Sequence, residues 1–102
     1  MMVAMNRKDA IEALKRQADA LRALGATSLF LFGSVARDEA GPDSDIDLFI
    51  DYDAASRFNL FDLVGIKLFL EEKFEFPVDV TTRHSLHQML KERIEQSALH
   101  VF

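Results

Sequence analysis

The stretch LFGSVARDEAGPDSDIDLFIDY, residues 31–52, decides how this chain is read. It begins inside the apolar run SLFLF at 28–32, which predicts a short buried strand. Gly33-Ser34 follows at once, and GSVARDEA at 33–40 fits a glycine turn opening a short helix. Gly41-Pro42-Asp43 is an expected turn. The end of the stretch, DIDLFIDY at 45–52, alternates. Asp45, Asp47, Phe49 and Asp51 face one way, and Ile46, Leu48, Ile50 and Tyr52 the other.

Working outward, residues 6–24 predict one helix, with Ile11, Leu14, Ala18, Leu21 and Leu24 at helical spacing. Asn6 is placed to cap it and Gly25 to stop it. Residues 58–74 predict a second, heavily apolar helix that Pro77 brings to an end. VDVTT at 78–82 is a third strand. Ser85 and Gln88 resemble a capping box for a final helix, with Leu86, Met89, Leu90 and Ile94 on its inner side. ALHVF at 98–102 fits either a short strand or a frayed tail. The order α-β-α-β-α-β-α predicts an α/β (α+β) fold, a sheet with helices packed on it, in a single domain over residues 1–102. The second and third strands, joined by a helix, are candidate parallel neighbours.

The net charge is −5, which argues against direct nucleic-acid binding, since that needs a basic face. The acid is concentrated: Asp38, Glu39, Asp43, Asp45, Asp47, Asp51 and Asp53 fall within 38–53, with no Lys or Arg among them. Such a run is either a solvated loop or a cation site. The absence of Cys excludes disulfides and thiolate zinc sites and fits a cytoplasmic location. MMVAMNRKDAIEAL carries early charges and no apolar core, so no signal peptide is expected, and no run approaches a membrane span.

Gly33 lets backbone and ligand approach without an intervening Cβ. Ser34 offers a hydroxyl and an N–H where a helix begins, a place that favours phosphate. By itself Gly-Ser also fits an ordinary strand-to-helix turn. Asp45 and Asp47, two apart on a strand, project from one face and repel unless a cation joins them. Hard oxygen ligands suit Mg²⁺, although a solvated face explains the spacing too. Asp79 lies between Val78 and Val80 on the next strand, so it faces away from the core when the valines face in. Three carboxylates beside a phosphate-binding turn meet the needs of two-metal phosphoryl or nucleotidyl transfer. Arg37 is placed to touch a triphosphate, or to pair with Asp38 or another carboxylate.

Gly33-Ser34, Ala36-Arg37, Ser44-Asp45-Ile46-Asp47-Leu48 and the later Asp79 resemble the signature of DNA polymerase β-like nucleotidyltransferases. The stretch FGSVARDEAGPDSDIDLFIDY is most similar to the minimal nucleotidyltransferase (MNT) branch. The resemblance implies a mixed sheet with helices on one side, Mg²⁺ as cofactor and ATP as nucleotide. It implies Asp45, Asp47 and Asp79 as catalytic, metal-binding residues, with Asp79 helping to activate the acceptor oxygen. Gly33 and Ser34 would hold the triphosphate and Arg37 would support it. Many MNT proteins are antitoxins paired with a HEPN-domain toxin. The resemblance therefore implies a hetero-oligomer in which AMP passes to a toxin tyrosine, or one in which the toxin is neutralised by binding alone.

The remaining residues carry less. His84, His87 and His100 lack the spacing of a metal cluster and read as surface or interface residues. Lys67 reads as a surface lysine with a buried stem. On the helix at 58–74, Leu60, Phe61, Leu63, Val64 and Leu68 form one broad arc, leaving Ile66 and Phe69 as the expected exposed surplus for a protein interface.

Overall fold

The computed structural model describes residues 6–41 and 44–102. Pro42 and Asp43 of the expected turn, and the five opening residues, lie outside the described residues. Asn6 caps α1 (Arg7–Arg16) by accepting the Asp9 N–H, as its sequence position predicts. The single helix expected over 6–24 is two. A tight turn at Gln17, whose N–H reaches the Leu14 and Lys15 carbonyls, separates α1 from α2 (Ala18–Ala23). Leu14 and Leu21 are both fully buried across that break. No glycine or proline marks it in the sequence. Gly25, at φ +116°, stops α2 and lies against the Phe58 ring.

β1 (Ala26–Phe32) leads straight into α3 (Gly33–Ala36), a single helical turn. β2 (Ile46–Tyr52), α4 (Leu60–Phe74), β3 (Val78–Thr82), α5 (Lys91–Ser97) and β4 (Leu99–His100) follow. The sheet is mixed, in the order β3-β2-β1-β4. β2 and β3 are parallel, while β1 is antiparallel to both β2 and β4. The tail at 98–102 is thus partly a strand, with Phe30 facing His100 and Leu31 facing Leu99.

One face of the sheet is the core. Leu29, Leu31, Ile46, Leu48, Ile50, Val78 and Val80 join Ala10, Leu14, Leu21, Ile66 and Leu70 in one buried cluster. Helices α1, α2 and α4 therefore cover this face. Strand alternation sends Asp47, Phe49, Asp51 and Asp79 to the other face. There Phe30 stacks on Phe49 with ring centroids 4.7 Å apart.

Two further helix expectations are corrected. The final helix begins at Lys91, not beside Ser85. Ser85 closes a 3-10 turn over Arg83–Ser85, and its hydroxyl accepts from Thr82 Oγ1 at 2.9 Å, so it caps nothing. Leu86 is buried as expected, but Met89 and Leu90 are exposed.

The second correction reverses the faces of α4. Ile66 is fully buried and Phe69 packs against the core, so neither is the exposed surplus. Leu60, Phe61, Val64 and Leu68 are exposed instead, Phe61 at 85%. The physical reason is that α4 is apolar almost all round, so its period does not define a unique inner face. Docking on β3 chose the face, and an Asn59/Asp62 capping box fixed where the helix starts.

Candidate active site

The expected site residues gather at one edge of the sheet, where β1 ends and where β2 and β3 begin. Phe32 faces Asp47 across the antiparallel pair, and Asp47 faces Asp79 across the parallel pair. Paired residues on neighbouring strands point to the same side, so Asp47 and Asp79 stand side by side. Asp45 is exposed just before β2. Ser44 sets up that entry: its Oγ accepts the Gly41 N–H at 2.9 Å, and its own N–H returns to the Gly41 carbonyl. Among the described residues no three His, Cys, Asp or Glu side chains are grouped so as to hold a metal ion as they stand. The three aspartates make an open edge with two partners across a strand pair and a third ahead of it.

The electrostatics single out Asp47. Its pKa is pushed up to about 6, first by burial, then by the negative charges of Asp79 and Asp45. Arg37 opposes the shift only weakly. A carboxylate crowded by two others, with no cation bonded to it, suits a divalent ion with oxygen ligands. The chemistry of Asp45, Asp47 and Asp79 is therefore compatible with Mg²⁺, whose charge would relieve the crowding at Asp47.

Gly33 is required here by its backbone and by its neighbour. It sits at φ +76°, a left-handed conformation that favours glycine. A Cβ added there would come within 3.1 Å of Asp47 Cγ and closer still to its carboxylate. Gly33 therefore makes room for the Asp47 carboxylate. Ser34 follows on the same turn and is half-buried. With four residues, α3 has little macrodipole, so any phosphate affinity there comes from individual N–H groups and from Arg37. Arg37 is exposed, and its Nε donates to Glu39 Oε2 at 3.1 Å. Pairing with a carboxylate is one of the two outcomes its position allowed. Such an exposed pair is weak and readily exchanged.

Residues 83 and 93 escaped the sequence reading. Arg83 donates from Nε and Nη2 to Asp51 at 2.8 and 2.9 Å, and from Nη1 to Glu95 at 2.6 Å. Its guanidinium also lies 4.8 and 5.0 Å from the Phe30 and Phe49 ring centroids. It pins α5 to the face that carries the aspartates. Strand arithmetic contained the signal: Asp47 faces Asp79 and Phe49 faces Thr81, so a further step of two brings Arg83 to Asp51. Arg93, on α5, lines a cleft of about 470 Å³ together with Phe32, Gly33, Arg37, Leu90, Ile94 and Ser97. A separate hollow of about 540 Å³ runs along α5 past Arg83 and Lys91 and includes none of the aspartates. His84, His87 and His100 are exposed, and His100 rests 4.9 Å from the Phe30 ring centroid. Lys67 is exposed as expected. No helix among the described residues is long and apolar enough to cross a membrane.

Comparison with known proteins agrees with this geometry. The profile of the nucleotidyltransferase domain family matches residues 14–101. A candidate protein adenylyltransferase from Methanocaldococcus jannaschii is 40% identical over 77 residues, 76% of this chain and 81% of that protein. Among solved structures, a candidate minimal nucleotidyltransferase superposes with a TM-score of 0.70 at 31% identity, covering 93% of this chain and 95% of the other. A chain from the complex of a tri-AMPylated Shewanella oneidensis HEPN toxin with an MNT antitoxin shares the fold, at TM-score 0.64 and 16% identity over 90% and 71% of the two chains. The match over residues 14–101, together with the 31% identical structure, shows that this chain belongs to the nucleotidyltransferase domain family in its minimal form.

Proposed function

We propose that this chain transfers AMP from ATP to a tyrosine hydroxyl of a HEPN-domain toxin, and so acts as the antitoxin of that pair. The observation that carries the reading is the Asp47–Asp79 cross-strand pair beside Gly33, with Asp45 close enough to raise the Asp47 pKa. The 40% identical relative supports adenylyl transfer to protein, and the shared fold with an MNT antitoxin supports the choice of partner.

Asp45, Asp47 and Asp79 would hold Mg²⁺, which when bound neutralises the polyphosphate and lowers the pKa of the attacking hydroxyl. Asp79, the outermost of the three, is placed to take the tyrosine proton. The tyrosine oxygen then forms a bond to the α-phosphorus as the bond to the β-phosphate oxygen breaks, and pyrophosphate leaves. Gly33 and Ser34 present backbone N–H groups to the phosphates, with Arg37 beside them.

A second reading, neutralisation by binding alone, is favoured by the exposed apolar residues Leu60, Phe61, Val64 and Leu68 on α4. Mass spectrometry of the toxin after incubation with ATP and Mg²⁺ separates the two. Transfer adds about 329 Da per AMP with the native chain and nothing with Asp45→Asn/Asp47→Asn. An unmodified toxin that both forms neutralise equally would establish masking. Phe61→Asp/Leu68→Asp should release the toxin while leaving ATP binding intact, because carboxylates are costly in a buried interface.

A further inference from the structure

The strand order fixes the direction in which pyrophosphate must leave. Asp79 stands on β3, Asp47 on β2, and Gly33 at the end of β1, in that order across the sheet. In-line displacement puts the attacking and leaving oxygens on opposite sides of the phosphorus. If the acceptor approaches beside Asp79, the leaving group points past Gly33. Beyond Gly33 lies the 470 Å³ cleft against α5, whose lining includes Arg37 and Arg93 but no carboxylate. That lining is exceptional in a chain of net charge −5. Among the described residues Arg93 forms no ion pair, whereas Arg83, ten positions earlier, is fully committed to Asp51 and Glu95. The Arg83–Glu95 contact holds α5, and with it Arg93, over this edge.

We infer that Arg93 binds the β- and γ-phosphates of the nucleotide and the departing pyrophosphate, together with Arg37, which lines the same cleft. The inference rests on the nucleotidyl-transfer reading and adds to it a residue from α5. Two guanidiniums lining one cleft suit a polyphosphate, since each offers a planar fork of donors to phosphate oxygens. The nucleoside then lies on the open side of the aspartates, away from α5. AMP alone makes no use of Arg93.

Calorimetry on the full chain with Mg²⁺ tests this with three probes: ATP, inorganic pyrophosphate and AMP. Arg93→Gln should weaken ATP and pyrophosphate binding by about tenfold and leave AMP binding within about twofold. Arg93→Lys should recover part of the loss, since it restores the charge without the fork. Because Arg93 is exposed, an unchanged melting temperature is expected for both variants. Equal ATP and pyrophosphate affinity in Arg93→Gln and the native chain would overturn this inference alone. So would an equal loss for AMP, which would place Arg93 beside the nucleoside. A native chain that binds neither ATP nor pyrophosphate would overturn the nucleotidyl-transfer reading, and this inference with it.

Discussion

Asp47 and Asp51 lie four residues apart on one strand and face the same side, yet the fold treats them in opposite ways. Asp51 receives two hydrogen bonds from Arg83, and its carboxyl is held below the usual range, chiefly by them. Asp47 has two aspartates for neighbours, and its pKa rises to about 6 through burial and their charge. One end of β2 is electrostatically closed and the other is left open. A stability-driven design would close both, because an uncompensated half-buried carboxylate destabilises the fold. The open end coincides with Gly33, whose missing Cβ admits the same carboxylate. Among the described residues no basic side chain forms an ion pair with Asp47, and under the proposed reaction a cation would complete that end.

The largest effect should come from removing the open charge. Asp47→Asn is expected to reduce AMP transfer by at least about 10²–10³-fold, measured by product formation from ATP. The same variant should stabilise the fold at neutral pH. Between pH 4 and about 6 the unfolded chain has lost the Asp47 proton while the folded chain still holds it, so native stability falls as pH rises through that window. The variant lacks this fall. Urea titrations should show it about 1–2 kcal/mol more stable than the native chain at pH 7 and level with it near pH 4, after allowance for partial exposure. Loss of stability at pH 7 would break the comparison.

Next in size is the closed end. Arg83→Met should cost about 2–3 kcal/mol of stability, because it leaves Asp51 and Glu95 without their partner. Its pH dependence has the opposite sign. The depressed Asp51 pKa contributes stability that is present above about pH 4 and lost as pH falls through the folded value. In the variant, NMR titration should find Asp51 back in the ordinary carboxylate range.

Gly33→Ala should cost about 1–2 kcal/mol, from the left-handed backbone and from displacement of the Asp47 carboxylate. The Asp51 titration should not move, since the disturbance belongs to the other end of β2. The smallest effect should be the response to metal. Saturating Mg²⁺ should lower the Asp47 pKa by about one unit or more and leave Asp51 unmoved, both read by NMR. Equal shifts at the two aspartates would show diffuse screening in place of a bound ion.

Much of this was legible beforehand, and the misses share a cause. Alternation placed Asp47 and Asp79 on one face because a strand has a strict period of two, and Val78 and Val80 left Asp79 no other side. Asn6 and Gly25 ended their helices as local chemistry requires. The faces of α4 were read the wrong way round because Leu60, Phe61, Ile66, Leu68 and Phe69 are nearly interchangeable in hydrophobicity. The start of the last helix was misplaced because Thr82 claimed the Ser85 hydroxyl. These two misses lie where several elements compete for the same residue.

The sequence alone determined three strands, the glycine turn and the parity of Asp47 and Asp79, because each depends on residues within a few positions of one another. Tertiary structure decided which carboxylate would be neutralised. Arg83 lies 32 positions from Asp51, and only the parallel pairing of β2 with β3 brings them together. It also brought Arg93 to Gly33, by folding α5 back across the sheet edge. A charge acquires its meaning from what stands within a few ångströms, and for Asp47, Asp51 and Arg93 those neighbours come from distant parts of the chain.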